Sequence, residues 1–199
     1  MRVLIDGKPH DPLTLEQEKD VRQFRAEASV QGQVLSADEA TATRGRQTRV
    51  VFGVLWFIVA VVSAVVASLA DPADQPIVIP AAIGIVIALG AAFFFMYGHR
   101  ARKWRHDLPR RLEGMATEGT AIGVDATGVT VAGKTHPWSS LAIEQVEFGR
   151  YGNRHANMFT LDRLALTGPE GRVVLDPCLM RNGHLIIGNA WRRMRATSK

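Results

Sequence analysis

Two runs of residues without a charged side chain, 50–70 and 77–98, constrain the fold of this chain more than any other feature. At about 1.5 Å per residue, a helix formed by either run is long enough to cross the roughly 30 Å hydrocarbon core of a bilayer. The mean hydropathy of the whole chain, +0.02, hides these runs because charged segments flank them. The alternative, a helical hairpin buried in a soluble protein, requires more surrounding chain than the other residues supply. The sequence therefore predicts a two-helix transmembrane hairpin.

The turn between the two runs differs in charge from their outer flanks. Residues 71–76 contain two acids and no Lys or Arg, whereas basic residues crowd the other ends of both runs. Flanks rich in Lys and Arg stay in the cytoplasm, so both termini are predicted to lie there. We therefore predict a multi-pass protein of the bacterial inner membrane. The hairpin with its flanks comprises residues 44–111, and the basic residues are Arg44, Arg46, Arg49, Arg100, Arg102, Lys103, Arg105, Arg110 and Arg111.

Neither apolar run contains Asp, Glu, Lys, Arg or His. Such residues mark proton relays, ion paths and substrate sites inside a membrane, so the hairpin is interpreted as an anchor. Gly53, Gly84 and Gly90 permit close helix packing, either within the hairpin or between two copies of the chain. A homo-oligomer therefore stays open.

The formal net charge of +5 is concentrated beside the membrane. Topology accounts for this excess, so the basic character gives no reason to predict a nucleic-acid partner. Cys178 is the single cysteine, which excludes an internal disulfide.

The N-terminal segment, residues 1–43, contains three local patterns. A capping box that begins at Thr14 predicts a short amphipathic helix over residues 14–28. Residues 2–5 predict a brief strand, whose pairing partner must come from the C-terminal domain. A second capping box, Ser-Ala-Asp-Glu, predicts a helix that starts near Ala37 and continues into the first span.

The segment after the second span has two interpretations. Trp104, Leu108, Leu112 and Met115 recur at helical spacing, and Pro109 is expected to kink or restart the helix. In the first interpretation this is an interfacial helix that binds anionic lipid of the inner leaflet. In the second it is a stalk whose positive charge only enforces topology. The candidate lipid contacts are Arg100, Arg102, Lys103, Arg105, Arg110 and Arg111.

The C-terminal domain, residues 112–199, alternates short apolar runs with turn residues. This pattern predicts a small antiparallel sheet, with hairpin turns at 126–128, 133–134 and 168–171. Residues 182–195 predict a helix that closes the sheet. The predicted α+β domain is expected to fold on its own. Its predicted strands are residues 120–124, 128–132, 138–148, 159–167 and 172–175.

Several segments resemble the C-terminal domain of YcxB-like proteins. They are Gly-Val-Thr-Val at 128–131, Trp-Ser-Ser-Leu at 138–141 followed by Val146, and Val-Leu-Asp-Pro at 174–177 before the last helix. YcxB-like proteins are bacterial membrane proteins in which a two-helix hairpin precedes a pleckstrin-homology-like (PH-like) domain, and their biochemical role is largely undefined. The resemblance covers residues 44–197 and implies a PH-like domain. The chain departs from that family in having Leu-Asp-Pro where Ile-Pro is common, and in its N-terminal helix.

Motifs for chemistry are missing from the sequence. The six histidines are scattered, and no phosphate loop, nucleophile elbow, zinc-protease motif or kinase motif is present. We therefore predict no enzyme activity, no cofactor and no metal. A basic, aromatic loop is the candidate partner-binding loop, for an acidic peptide or a lipid phosphate, with plain solvent exposure as the alternative. Its residues are Arg150, Tyr151, Arg154 and His155.

Taken together, these features predict a non-catalytic, membrane-anchored binding or scaffolding module with membrane lipids and an unidentified protein as partners. The competing hypothesis is an accessory subunit of a membrane complex that acts through its transmembrane helices. Purification of the chain in mild detergent distinguishes the two hypotheses, because an obligate subunit should bring its partners with it through the hairpin.

Overall fold

The computed structural model describes residues 1–13, 21, 27–71, 73–151 and 158–197, of which 47, 48, 150, 151, 158 and 197 are described by their backbone only. The described chain is α+β and forms two compact units. The globular unit comprises Met1–Ala40 and Arg110–Lys199, and the helical unit comprises Thr41–Pro109. The globular unit therefore contains the N-terminal segment as well as the expected C-terminal domain.

Two long helices, α1 (Ala37–Leu69) and α2 (Gln75–Leu112), contain the two apolar runs. Helix α1 starts as predicted, since the Ser36 hydroxyl accepts a hydrogen bond of 3.0 Å from the Glu39 amide. Helix α2 does not restart at Pro109 but continues through it to Leu112. A proline this close to the end of a helix removes only one backbone hydrogen bond. Both helices are long and apolar enough to cross a membrane, and their apolar windows are not buried within the chain.

The two helices pack against each other in antiparallel order within the helical unit. The rings of Phe52 and Phe93 stack with their centroids 5.3 Å apart. One turn further along α1, the Trp56 indole donates a hydrogen bond of 3.3 Å to the Val86 carbonyl oxygen. Contacts at successive turns therefore hold α1 and α2 as a helical hairpin.

The strands of the globular unit form two sheets, with the orders β2-β1-β7-β8-β9 and β3-β4-β5-β6. The predicted strands are present, although the segment at Trp138 is a short 3-10 helix before β7. Sequence reasoning missed β2, β3 and β6. The described strands are β1 (Arg2–Ile5), β2 (Lys8–His10), β3 (Val30–Gln33), β4 (Ala121–Val124), β5 (Gly128–Val131), β6 (Lys134–Pro137), β7 (Ala142–Tyr151), β8 (Met158–Gly168) and β9 (Gly171–Leu175).

The sequence predicted an antiparallel sheet, but the first sheet contains one parallel pair of strands. Strand β1 pairs in parallel with β7, with Val3 opposite Val146 and Ile5 opposite Phe148. Parallel pairing needs no local turn, so a strand from the start of the chain can lie beside one from its second half. The apolar side chains of β1 are buried, which fixes its register. The prediction that β1 pairs with the C-terminal domain is confirmed for one edge of β1, whereas its other edge pairs with β2 of the N-terminal segment, which was not predicted.

Tight turns connect β4 to β5 and β5 to β6 in the second sheet. Strands β5 and β6 are joined by Ala132 and Gly133, whose φ angles of 51° and 81° are those of a two-residue hairpin turn. The predicted turn at 133–134 therefore lies one residue earlier. At the β4–β5 turn, the Asp125 carboxylate accepts hydrogen bonds from the Thr127 hydroxyl and from the Thr127 and Gly128 amides. These bonds lower the pKa of Asp125.

Helix α3 (Gly183–Thr197) packs on the sheets and confirms the predicted closing helix. Ile186, Ile187 and Ala190 of this helix are fully buried. Trp138 is buried in the same core, and its indole donates a hydrogen bond of 3.0 Å to the Asp125 carbonyl oxygen. Trp138 is therefore an aromatic side chain of the core. The amphipathic helix predicted over residues 14–28 lies largely outside the described residues.

The N-terminal segment is integrated in the globular unit through β3. The Arg181 amide donates a hydrogen bond of 2.9 Å to the Gln33 carbonyl, and the Asn182 side chain donates one of 3.0 Å to the Gln31 carbonyl. Gly32 permits this approach, since a Cβ atom there would lie 2.1 Å from the Arg181 carbonyl oxygen. The C-terminal segment alone therefore lacks one neighbour for each of the strands β4 and β7.

Candidate functional site

Charged side chains that are distant in sequence meet at the end of α2. Arg110 and Glu147 form an ion pair of 2.7 Å. Arg111 pairs with Asp176 at 2.7 Å and lies 3.8 Å from Asp162. Glu147 and Asp176 are buried, so these contacts bring opposite charges together away from water. The ionic cluster consists of Arg110, Arg111, Arg163, Glu147, Asp162 and Asp176.

Arg163 of β8 binds the last carbonyls of α2. Its guanidinium donates a hydrogen bond of 3.0 Å to the Arg110 carbonyl oxygen and a second hydrogen bond to the Glu113 carbonyl oxygen. The final carbonyls of a helix have no partner within the helix and carry partial negative charge, so a cation stabilises them. Arg163 therefore caps α2 from the sheet.

The ionic cluster also shifts the pKa of its members. Burial raises the pKa of Asp162 and Asp176, and the nearby Arg111 opposes this shift. Burial alone would lower the pKa of Arg111, but Asp176 and other neighbours outweigh it and raise that pKa. Burial lowers the pKa of Arg163. The neighbouring arginine Arg111 therefore favours the ionised form of both carboxyl groups, against the effect of burial.

This geometry changes the interpretation of the predicted lipid contacts. The Arg111 side chain is only 15% exposed and bound to Asp176, and Arg110 is engaged by Glu147. A buried guanidinium that leaves its carboxylate for a lipid phosphate would leave an unpaired charge behind. Arg111 is therefore held within the globular unit, and Arg110, whose side chain is 49% exposed, is held there by its ion pair with Glu147. The remaining predicted contacts, which we call the basic flank, are exposed on α2, and they are Arg100, Arg102, Lys103 and Arg105.

The predicted apolar stripe after the second span is not a free surface. Trp104 is 6% exposed, and its indole donates a hydrogen bond of 3.1 Å to the Thr41 hydroxyl. The Arg44 guanidinium lies 4.5 Å from the Trp104 ring centroid. Met115 packs against the core of the globular unit. The first and last residues of the predicted stripe therefore pack against protein.

A pocket of about 270 Å³ opens in the globular unit beside β6 and β9. Glu170 lies 3.3 Å from the Lys134 ammonium and 3.5 Å from His136 Nδ1. Arg172 pairs with Glu144 at 2.7 Å. The lining of this polar pocket is Gly114, Met115, Ala116, Ile122, Val131, Lys134, His136, Glu170, Arg172, Val173 and Val174.

The polar pocket combines apolar walls with a few charged groups. None of its lining residues is Ser, Thr or Cys, so it presents no hydroxyl or thiol nucleophile beside His136. Its walls combine apolar side chains with a few convergent charged groups, as binding pockets usually do. Within the described ranges, no three His, Cys, Asp or Glu side chains are grouped so as to hold a metal ion.

The helical unit has a larger pocket, of about 490 Å³, between α1 and α2. Most of its surface is aromatic or apolar, with Arg49 at one end. We call it the aromatic groove. It is lined by Arg49, Phe52, Gly53, Trp56, Gly90, Phe93, Phe94 and Tyr97.

The candidate partner-binding loop is described only in part. Arg150 and Tyr151 end strand β7, opposite Phe159 and Met158 of β8, and only their backbone is described. Arg154 and His155 lie outside the described residues. Its role in partner binding stays a prediction.

Both pockets and the ionic cluster were missed in the sequence. Arg111 and Asp176 are 65 positions apart, and no local pattern connects them. Strand β3 was more accessible to prediction, because the segment Val-Gln-Gly-Gln-Val at 30–34 places two glutamines at alternate positions between apolar residues or glycine.

Comparison with models of protein families, with curated proteins and with solved structures finds no match. The function of the chain is therefore inferred from its residues and their geometry alone.

Proposed function

We propose that the chain is a non-catalytic, membrane-anchored binding or scaffolding module at the cytoplasmic face of the bacterial inner membrane. In this proposal α1 and α2 span the bilayer, and the globular unit is the binding domain. The resemblance to YcxB-like proteins, with a PH-like fold of the sheets and α3, belongs to the same proposal.

One observation carries this proposal. Strand β1 pairs with β7 and β3 pairs with β4, so segments from before and after the two long helices share both sheets. Segments that pair must lie on the same side of a membrane, because a strand does not pair across a bilayer. Two spans between them satisfy this condition, whereas one span does not.

The side of the membrane follows from charge. The basic flank and the arginines before the first span lie at the ends that join the globular unit, whereas the turn carries Asp71 and Asp74. The positive-inside rule then supports a cytoplasmic globular unit with both termini in the cytoplasm.

The polar pocket is the proposed binding site of the globular unit. A carboxylate from an acidic peptide of a partner protein would replace Glu170 beside Lys134 and His136. The apolar walls would contact the neighbouring side chains of the peptide. An exposed ion pair such as Lys134–Glu170 is weak, so the exchange costs little.

The alternative function is that of an accessory subunit that acts through its helices. The aromatic groove favours it, because a partner helix could fill an open apolar surface between α1 and α2. The two functions differ in which unit holds the partner.

A comparison of purified chains in mild detergent tests the proposal. The first chain is the full sequence, and the second joins residues 1–40 to 110–199 through a flexible linker and lacks the hairpin. A binding module keeps its partner in both chains, whereas an accessory subunit loses it without the hairpin.

Substitutions in the full chain then test the pocket. Lys134→Glu should abolish recovery of the partner, because it replaces the cation that holds a carboxylate. Lys8→Glu, on the exposed strand β2, makes the same charge change away from the pocket and should preserve it. Recovery that survives Lys134→Glu would refute the pocket as the binding site.

A further inference from the structure

The aromatic groove has a built shape that depends on two glycines. Gly90 allows the Trp56 indole to lie against α2, since a Cβ atom there would be 2.9 Å from the indole nitrogen. Gly53 leaves the groove open, because a Cβ atom there would meet nothing within 4 Å. Trp56 of α1 lies against Gly90 of α2, and Gly53 of α1 leaves open space. Together they form the pocket of about 490 Å³.

One end of the aromatic groove is polar and positively charged. Arg49 lines the groove and donates a hydrogen bond of 3.3 Å to the Gly45 carbonyl oxygen. A Cβ atom on Gly45 would lie 3.3 Å from the Tyr97 hydroxyl and 3.9 Å from an Arg49 nitrogen, so these groups surround one point. The Arg100 guanidinium lies 5.8 Å from the Phe52 ring centroid. Two guanidinium groups and one hydroxyl therefore lie at the same end of an otherwise apolar groove.

We propose that the aromatic groove binds one anionic phospholipid. Its phosphate contacts Arg49, Arg100 and the Tyr97 hydroxyl, and an acyl chain lies along Phe52 and the other aromatic walls. Guanidinium groups bind phosphate in strong, charge-assisted hydrogen bonds. Basic pockets between membrane helices at the cytoplasmic side are suited to anionic headgroups.

Charge complementarity decides between the possible occupants of the aromatic groove. An apolar helix of a partner or of a second copy matches the aromatic walls but offers no anion to Arg49 and Arg100. Removing a guanidinium from water is costly when no anion pairs with it. Binding of such a helix would therefore carry a free-energy cost at the polar end of the groove. A phospholipid supplies both the hydrocarbon chain and the negative charge.

This inference rests on the proposed insertion of the helices into a membrane. Fractionation of cells that express the full chain checks insertion first: recovery in the soluble fraction would overturn the proposed function itself. Lipid selectivity is then measured on the inserted protein, so that the two failures are distinguishable.

The test uses the full chain, reconstituted in nanodiscs of equal parts phosphatidylglycerol and phosphatidylcholine and analysed by native mass spectrometry. We expect one retained phosphatidylglycerol and no selective retention of phosphatidylcholine. The double substitution Arg49→Gln, Arg100→Gln should reduce this retention by roughly tenfold or more. The matched control Arg102→Gln, Arg105→Gln removes the same charge from exposed positions of the basic flank and should retain the lipid. Equal losses in both variants would overturn the site in favour of diffuse attraction.

Two glycine substitutions test the groove itself without a change of charge. Gly53→Leu places a side chain in the aromatic groove and should displace the lipid. Gly84→Leu makes the same change at a position of α2 where a Cβ atom also meets nothing within 4 Å but which does not line the groove. It should retain the lipid. Unchanged lipid retention in Gly53→Leu would overturn the proposal. If Gly53→Leu instead dissociated an oligomer with the lipid still bound, a second copy of the chain would be the occupant of the groove, and the proposal would also be overturned.

Discussion

The helical unit and the globular unit differ in where the partners of each segment lie along the chain. The helical unit consists of two helices joined by a short turn, and their apolar character follows from local composition. The globular unit combines strands from both ends of the chain, and the two helices lie between those segments in sequence. The two halves of the globular unit are therefore connected in the chain only through the two long helices.

The largest expected effect tests this dependence directly. Removal of residues 1–35 deletes β1 to β3, so β4 and β7 each lose one of their two neighbouring strands. Buried side chains such as Val146 and Ile122 would then be exposed, so residues 110–199 should lose cooperative unfolding and become sensitive to protease. The control is the hairpin-free fusion of residues 1–40 to 110–199, which should unfold cooperatively. A truncated chain as stable as the fusion would mean that the C-terminal segment is a domain by itself.

A smaller but still large effect is expected from the ionic cluster. Asp176→Asn leaves the buried Arg111 without its carboxylate and should lower the free energy of unfolding by about 3 to 5 kcal/mol. Urea denaturation of the hairpin-free fusion measures it. The double variant Arg111→Met, Asp176→Asn should be more stable than the single variant, because it removes the unpaired charge. Equal stability of the single variant and the unmodified fusion would show that the ion pair makes no net contribution.

The smallest effect separates the docking of β3 from its pairing with β4. Gly32→Ala forces a Cβ atom to within 2.1 Å of the Arg181 carbonyl oxygen and should cost about 1 to 3 kcal/mol. Gly123→Ala is the matched control in β4, where the nearest atom would lie at an ordinary 3.7 Å. That variant should change stability by less than about 0.5 kcal/mol in the same denaturation experiment. Similar losses in both would indicate a propensity effect rather than a close approach.

The same difference between the units explains how much of the structure the sequence predicted. The helices, most strands and the closing helix follow from composition and periodicity, which act over a few residues. The pairing of β1 with the C-terminal segment was anticipated because no nearby partner was recognised in the sequence. The parallel direction of that pairing and the second neighbour of β1, strand β2, were not anticipated. The contact between Gly32 and Arg181 depends on two distant segments, so no local pattern reports it.

The candidate sites show the same limit. The charge of the basic segment after the second span is evident in the sequence. The sequence does not show which of its residues form ion pairs in the globular unit and which stay exposed on α2. Arg110 and Arg111 bind carboxylates that are supplied by β7 and the residue after β9. Arg49 was counted only as a determinant of topology, and its place in the aromatic groove depends on how α1 packs on α2.

In the proposed topology, a two-span hairpin holds both halves of the globular unit in the cytoplasm. Three single-cysteine variants of the full chain, all carrying Cys178→Ser, test it with a membrane-impermeant maleimide. Gln33→Cys and Ala121→Cys probe exposed positions before and after the hairpin, and Asp74→Cys probes the turn. The account predicts that the first two react only in inverted membrane vesicles and the third only in spheroplasts. Labelling of positions 33 and 121 from opposite sides of the membrane would contradict it.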